Sequence, residues 1–151
     1  HGSDFMKDVV EWSAKAGKSV YFLGAGPGIA EKTAAVFQQK YPQLKVAGFS
    51  GMNPGLEALE LVQKSAAEVL FVAYGAPKQE LWLAENRENL PQVCMAVGGS
   101  FDFWSGQVRR APYLFRMLGL EWLWRLVLNP RVRLKRIWNA VVVFPVLAVF
   151  E

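Results

Sequence analysis

An α/β fold, Rossmann-like with a parallel sheet and helices on both faces, plus a C-terminal basic helical appendage, is predicted by three features of the sequence. Short apolar runs ending in small residues alternate with longer stretches that mix apolar and charged residues at helical spacing. Each of those longer stretches opens at a proline, and after Gly106 the pattern gives way to arginine-rich sequence.

The strand candidates come first. SVYFLG (19–24), KVAGFS (45–50), EVLFVAYG (68–75) and VCMAVGG (93–99) are the length of strands, and such continuous apolar runs read as buried parallel ones. Between them, 27–42, 54–65 and 77–90 open at Pro27, Pro54 and Pro77. Proline is favourable at a first helical position, where its missing N–H would lack a partner anyway. The alternation is βαβαβαβ, which requires a parallel sheet covered on both faces and puts ligands beyond the carboxyl ends of the strands.

With 151 residues, 52% of them hydrophobic and 13% aromatic, the chain can bury one sizeable core. One α/β domain (1–106) with an appendage (107–151) is the expected organisation. Cys94 is the only cysteine and His1 the only histidine, so neither a disulfide framework nor a Cys/His metal site or hydrolytic triad can be built within the chain. A reducing, cytoplasmic setting fits. The opening HGSDFMKDVVEWS carries Asp4, Lys7, Asp8 and Glu11, unlike a signal peptide or spanning helix. His1-Gly2-Ser3 reads either as a cloning remnant or as native sequence.

The net charge is +4, but its distribution is one-sided. Arg109, Arg110, Arg116, Arg125, Arg131, Arg133, Lys135 and Arg136 face only Glu121 between Gln107 and Trp138, so the rest of the chain is net negative. A solvated helix face would intersperse acids; this stretch calls for a phosphate, an anionic lipid surface or a nucleic acid. Residues 137–150 are apolar apart from Asn139 and Pro145. They fall short of the roughly 20 residues needed to span a bilayer and read as interfacial or docked on the core.

Four rim loops follow the strands. Gly24-Ala25-Gly26-Pro27-Gly28 could turn backbone N–H groups towards a phosphate, although it lacks the last glycine of the dinucleotide fingerprint and could equally be a tight turn. In Gly75-Ala76-Pro77-Lys78-Gln79-Glu80, Lys78 opposes the helix dipole, Glu80 satisfies it, and Gln79 has donors and an acceptor with which to read a sugar or base. Val97-Gly98-Gly99-Ser100-Phe101-Asp102 presents an acid that either caps the next turn or accepts from sugar hydroxyls, the two glycines allowing close approach. The loop from Gly48 to Gly55 is informative only as a turn. No D-x-D metal–nucleotide element occurs.

GSDFM, FLGAGPGIAEKTA, YPQLKVAG, LFVAYGAPKQELW, AVGGSFDFWSGQVRRAP, GLEWLWRL and NPRVRLKR, taken in order, resemble the signature of the TagA/WecG/CpsF glycosyltransferase family from Gly2 to about Arg136. The resemblance implies an inverting transfer of an N-acetylmannosamine-type sugar from a UDP donor to polyprenyl-diphosphate-linked N-acetylglucosamine. That work belongs at the inner face of the plasma membrane, in teichoic acid or related surface-glycan synthesis, on a peripheral protein and a homo-oligomer. It implies donor binding by Gly24, Gly26, Gly28, Gln79, Gly98, Gly99 and Asp102, and diphosphate binding by Arg110, Arg125, Arg131, Arg133 and Arg136, with no metal or cofactor. Family members also carry a threonine/asparagine loop and an Asp-Gly element with the presumed base; neither occurs here, so the catalytic base is unassigned and the chain alone is expected not to turn over. The competing expectation is a nucleic-acid or anionic-lipid binding module that uses the basic tail and its tryptophans.

Overall fold

The computed structural model describes residues 2–107. Its elements are α1 (Gly2–Ala16), β1 (Ser19–Gly24), α2 (Ile29–Lys40), β2 (Lys45–Ser50), α3 (Leu56–Ser65), β3 (Val69–Ala73), α4 (Lys78–Asn86) with a 3₁₀ turn (Arg87–Asn89), β4 (Val93–Ala96) and α5 (Ser100–Trp104). The strands form one parallel sheet in the order β2-β1-β3-β4. The α/β prediction therefore holds for this part of the chain; the appendage, Gln107 apart, lies outside the described residues.

Alternation along the two central strands divides the core. Val20 and Phe22 of β1, with Val69, Phe71 and Ala73 of β3, face α1, α2 and α5, where Met6, Val10, Ala34, Phe37 and Phe101 meet them. Tyr21, Leu23, Leu70 and Val72 point the other way, against Ala58 and Val62 of α3 and Trp82 of α4. Helices thus cover both faces. Phe22 is the hub of the first layer: its ring stacks on Phe37 and Phe71 and meets Phe101 edge-on, with centroids 6.0, 5.5 and 5.7 Å away. Burying a side chain of this size contributes roughly 1.5–3 kcal/mol.

Three features differ from the sequence reading. The first is α1, which that reading left without a structural assignment; Met6, Val10 and Ala14 recur every fourth residue and lay one stripe on the sheet. It ends where Gly17 adopts φ +67° and the Lys18 N–H donates to the Ser13 carbonyl at 2.9 Å, a glycine stop that leaves no strain. The second concerns the outer strands. Among the described residues β2 and β4 are the outer strands, and their apolar runs are only partly covered, with Phe49 45% and Val93 41% exposed. The third is that the helices start after their prolines, at Ile29, Leu56 and Lys78, because Gly28, Gly55 and Pro77 serve as the N-caps.

Candidate functional site

In an open parallel sheet the ligand edge lies where neighbouring strands send their connections to opposite faces. With the order β2-β1-β3-β4 that point falls between β1 and β3. The loops after both strands meet there: the Ala25 N–H donates to the Ala73 carbonyl at 3.0 Å. Gly24 (φ +100°) allows this approach, since a Cβ there would lie 2.9 Å from the Tyr74 ring and 3.0 Å from the Ala73 carbonyl carbon. The loop after β2 closes in from the side. A Cβ on Gly51 would run into the Gly26 carbonyl, backbone against backbone, so only glycine fits.

These three loops enclose a cleft of about 190 Å³, walled by Ala25, Gly26, Gly51, Met52, Asn53, Pro54, Ala73, Tyr74 and Lys78. Its wall carries one cation and no acid. Larger hollows of about 370 and 400 Å³ lie away from this rim, one against Trp12, Glu68 and Val93, the other against Leu83, Arg87 and Cys94. Topology rather than size picks out the rim cleft. Tyr74 packs edge-on against Trp82 at 5.7 Å, and its phenolic oxygen is buried without a hydrogen-bond partner. Burial pushes that phenol well above its ordinary pKa. Cys94, by contrast, donates to the Pro91 carbonyl at 3.1 Å, and burial pushes its thiol up to about 11, which leaves it inert at neutral pH.

Gln79 sits just behind the cleft and is only 6% exposed. Its Oε1 accepts from the Gly75 N–H at 3.1 Å and from the Gly98 N–H at 3.0 Å, while its Nε2 donates to Glu80 Oε1 at 2.8 Å. Two backbone donors on one side of the carboxamide can be met only by its oxygen. One side chain therefore ties the loop after β3 to the turn after β4. That turn, with Gly98 at φ +49°, leads into α5, whose N-cap is Gly99. Ser100 seals the turn by donating to the Val97 carbonyl at 2.7 Å, and Thr33 anchors α5 from below by donating to the Phe101 carbonyl at 3.2 Å.

Asp102 occupies the first turn of α5, and its Oδ2 lies 3.4 Å from where a Gly99 Cβ would be. It is not the cap of that helix. The structure thus brings Gln79, Gly98, Gly99 and Asp102 together at one turn, and Gly24 and Gly26 together at the neighbouring cleft. Neither Gln79 nor Asp102 is among the residues walling the cleft. Gly28 (φ +74°) is exposed at the start of α2. Arg110, Arg125, Arg131, Arg133 and Arg136 lie outside the described residues. The sequence reading missed Asn53 and Gly51, whose loop it took for a plain turn, and left Lys78 unused although its position against the helix dipole was the signal.

A parallel sheet with helices on both faces and glycine-rich loops gathered at its switch point defines a doubly wound α/β domain. Comparison with known proteins narrows this. The model of the family "Glycosyl transferase WecG/TagA/CpsF family" matches residues 1–151, and the chain belongs to that family. It is 33% identical over 132 residues to an N-acetylglucosaminyldiphosphoundecaprenol N-acetyl-beta-D-mannosaminyltransferase of Bacillus spizizenii (strain ATCC 23059 / NRRL B-14472 / W23), which covers 85% of this chain and 51% of that protein. It is 35% identical over 134 residues to the protein of the same name from Bacillus subtilis (strain 168), covering 85% and 52%. The chain spans about half the length of these curated relatives. Among the described residues no helix is long and apolar enough to cross a membrane.

Proposed function

We propose that this chain is the nucleotide-sugar-gripping part of a glycosyltransferase that moves an N-acetylmannosamine-type residue from a UDP donor to a polyprenyl-diphosphate-linked N-acetylglucosamine, with inversion, at the inner membrane surface. The observation that carries this is the convergence at one sheet edge of the glycine loop after β1, the Gln79-tied loop after β3 and the Gly98-Gly99-Asp102 turn. Left-handed glycines, with no Cβ in the way, suit a ligand pressed against the main chain. Asp102 is the acceptor for ribose or sugar hydroxyls. Gln79 holds the two loops in register.

The reaction needs a base for the acceptor hydroxyl and positive charge for the departing diphosphate. The three aspartates, Asp4, Asp8 and Asp102, include no Asp-Gly pair, so the base is supplied from outside these 151 residues. Arg110, Arg125, Arg131, Arg133 and Arg136 close over the diphosphate, and no metal takes part. The test is a melting experiment with UDP and, separately, a single-stranded oligonucleotide. At a hundredfold excess over its Kd, UDP adds about 2.7 kcal/mol and raises Tm by several degrees. No shift with UDP, together with a rise on adding oligonucleotide, would replace the transferase reading by a nucleic-acid module.

A further inference from the structure

The small cleft between the loops after β1, β2 and β3 has a chemistry of its own. Among the described residues, Lys7 and Lys15 pair with Glu11, Lys18 pairs with Glu68 and Lys64 with Glu60. Lys40 lies over the rings of Tyr41 and Trp104 at 5.7 and 5.5 Å. Lys78, like Lys32, Lys45 and Arg87, has no such partner, and of these four it alone lines the cleft. It stands in the first turn of α4, where the helix dipole already disfavours a cation, and it forms part of the cleft wall. Nothing local rewards a lysine at that position. The rest of the wall is Asn53, with its carboxamide, the small residues Ala25, Gly26, Gly51 and Ala73, and Met52, Pro54 and Tyr74, with no carboxylate.

Size restricts what fits. At about 190 Å³ the cleft is smaller than the roughly 300–1,000 Å³ of pockets that enclose a whole ligand of drug size. It therefore takes one part of a larger molecule. With a cation, a carboxamide and no acid in its wall, that part is an anion. The Tyr74 hydroxyl is sealed from solvent and is not among the groups an entering ligand first meets.

We infer that this cleft holds the diphosphate group of a substrate, with Lys78 as its counter-cation and Asn53 as a hydrogen-bonding partner. The inference rests on the transferase reading and deepens it: the folded α/β unit carries a diphosphate contact of its own, independent of the arginine tail. A diphosphate occurs in both the nucleotide donor and the lipid-linked acceptor, and the measurements must separate them.

The 151-residue chain and its Lys78→Gln, Asn53→Ala and Lys64→Gln variants are titrated calorimetrically with UDP, uridine and geranyl diphosphate. Lys64, in the last turn of α3, controls for loss of one positive charge. The expected result is UDP binding weakened about tenfold by Lys78→Gln and less by Asn53→Ala, with uridine binding unchanged and Lys64→Gln behaving as the parent. Weakening of geranyl diphosphate but not of UDP would sustain the cleft as a diphosphate site and assign it to the acceptor. Lys78→Gln binding both diphosphates like the parent would overturn the inference. Should the parent bind neither, the reading as a nucleotide-gripping domain fails, and inorganic diphosphate decides the cleft alone. Amide NMR shifts at Gly26, Asn53 and Lys78 on adding it would keep the inference; none would end it.

Discussion

Gln79 shows how a residue chosen for its chemistry can serve through its geometry. An amide with two donors and one acceptor near a ligand edge suggested sugar or base reading, and no local pattern reveals a partner at Gly98, 19 residues on. Truncating Gln79→Ala strands the Gly75 and Gly98 N–H groups, which costs roughly 1–3 kcal/mol, and a Tm lower by several degrees in a thermal melt is the expected outcome. UDP affinity should fall with it, because the Gly98-Gly99-Asp102 turn loses its tether. Tyr74 predicts the reverse. Its buried oxygen has no partner, so Tyr74→Phe removes an unmet polar group while keeping the ring contact with Trp82. Its urea midpoint should equal or exceed that of the parent; a clear loss of stability would mean that the hydroxyl has a partner in solution.

Elements were legible where a single pattern decides them. β1 and β2 match their expected bounds residue for residue, because an apolar run closed by a small residue leaves little choice. β3 and β4 are shorter than expected, since Gly75 and Gly98 take positive φ and turn the chain out of the sheet. α1 is hard to read in the sequence because charged residues interleave its Met6, Val10, Ala14 stripe. Those charges do matter at its outer face: Glu11 accepts from Lys15 at 2.7 Å and from the Tyr41 hydroxyl, just beyond α2, at 2.9 Å. Lys15 first, then Tyr41, hold the Glu11 carboxyl down at about 2, below its ordinary 4.5. A depressed carboxylate stabilises the fold above its unfolded pKa and loses that contribution as pH falls through the folded one. The stability difference between parent and Glu11→Gln should therefore be constant above about pH 5 and vanish between 4.5 and 2, which urea midpoints at stepped pH would show. Of the candidate site, the glycine loops were readable from their spacing; Asn53 and Gly51 were not, because their relevance depends on the β2 loop leaning on Gly26.

The chain taken together joins a folded α/β unit to a basic, apolar-ended segment beyond the described residues. Apolar burial is favourable by roughly 25 cal/mol per Å², so residues 137–150 need a core, a neighbouring chain or a membrane to cover them. Comparing the intact chain with one ending at Pro130 tests this: the intact chain should float with anionic liposomes and scatter as a larger species without them. Equal behaviour of both would make the segment ordinary core and remove the membrane contact. The strand order has a further consequence, for how the chain comes into being. β1 pairs with β3 in a register that joins Val20 to Val69, so the centre of the sheet cannot close until about fifty further residues have been made. On a ribosome, β1 can meet α1, α2 and β2 early, but its other edge, and the face of Phe22 that stacks on Phe71, stay open until β3 has emerged. Parallel sheets with such distant pairings fold slowly, and this interval is when the nascent chain is most exposed to aggregation. Nascent chains arrested before Val69 has left the exit tunnel should stay open to protease throughout, whereas those arrested after β4 has emerged should gain protection from β1 onward.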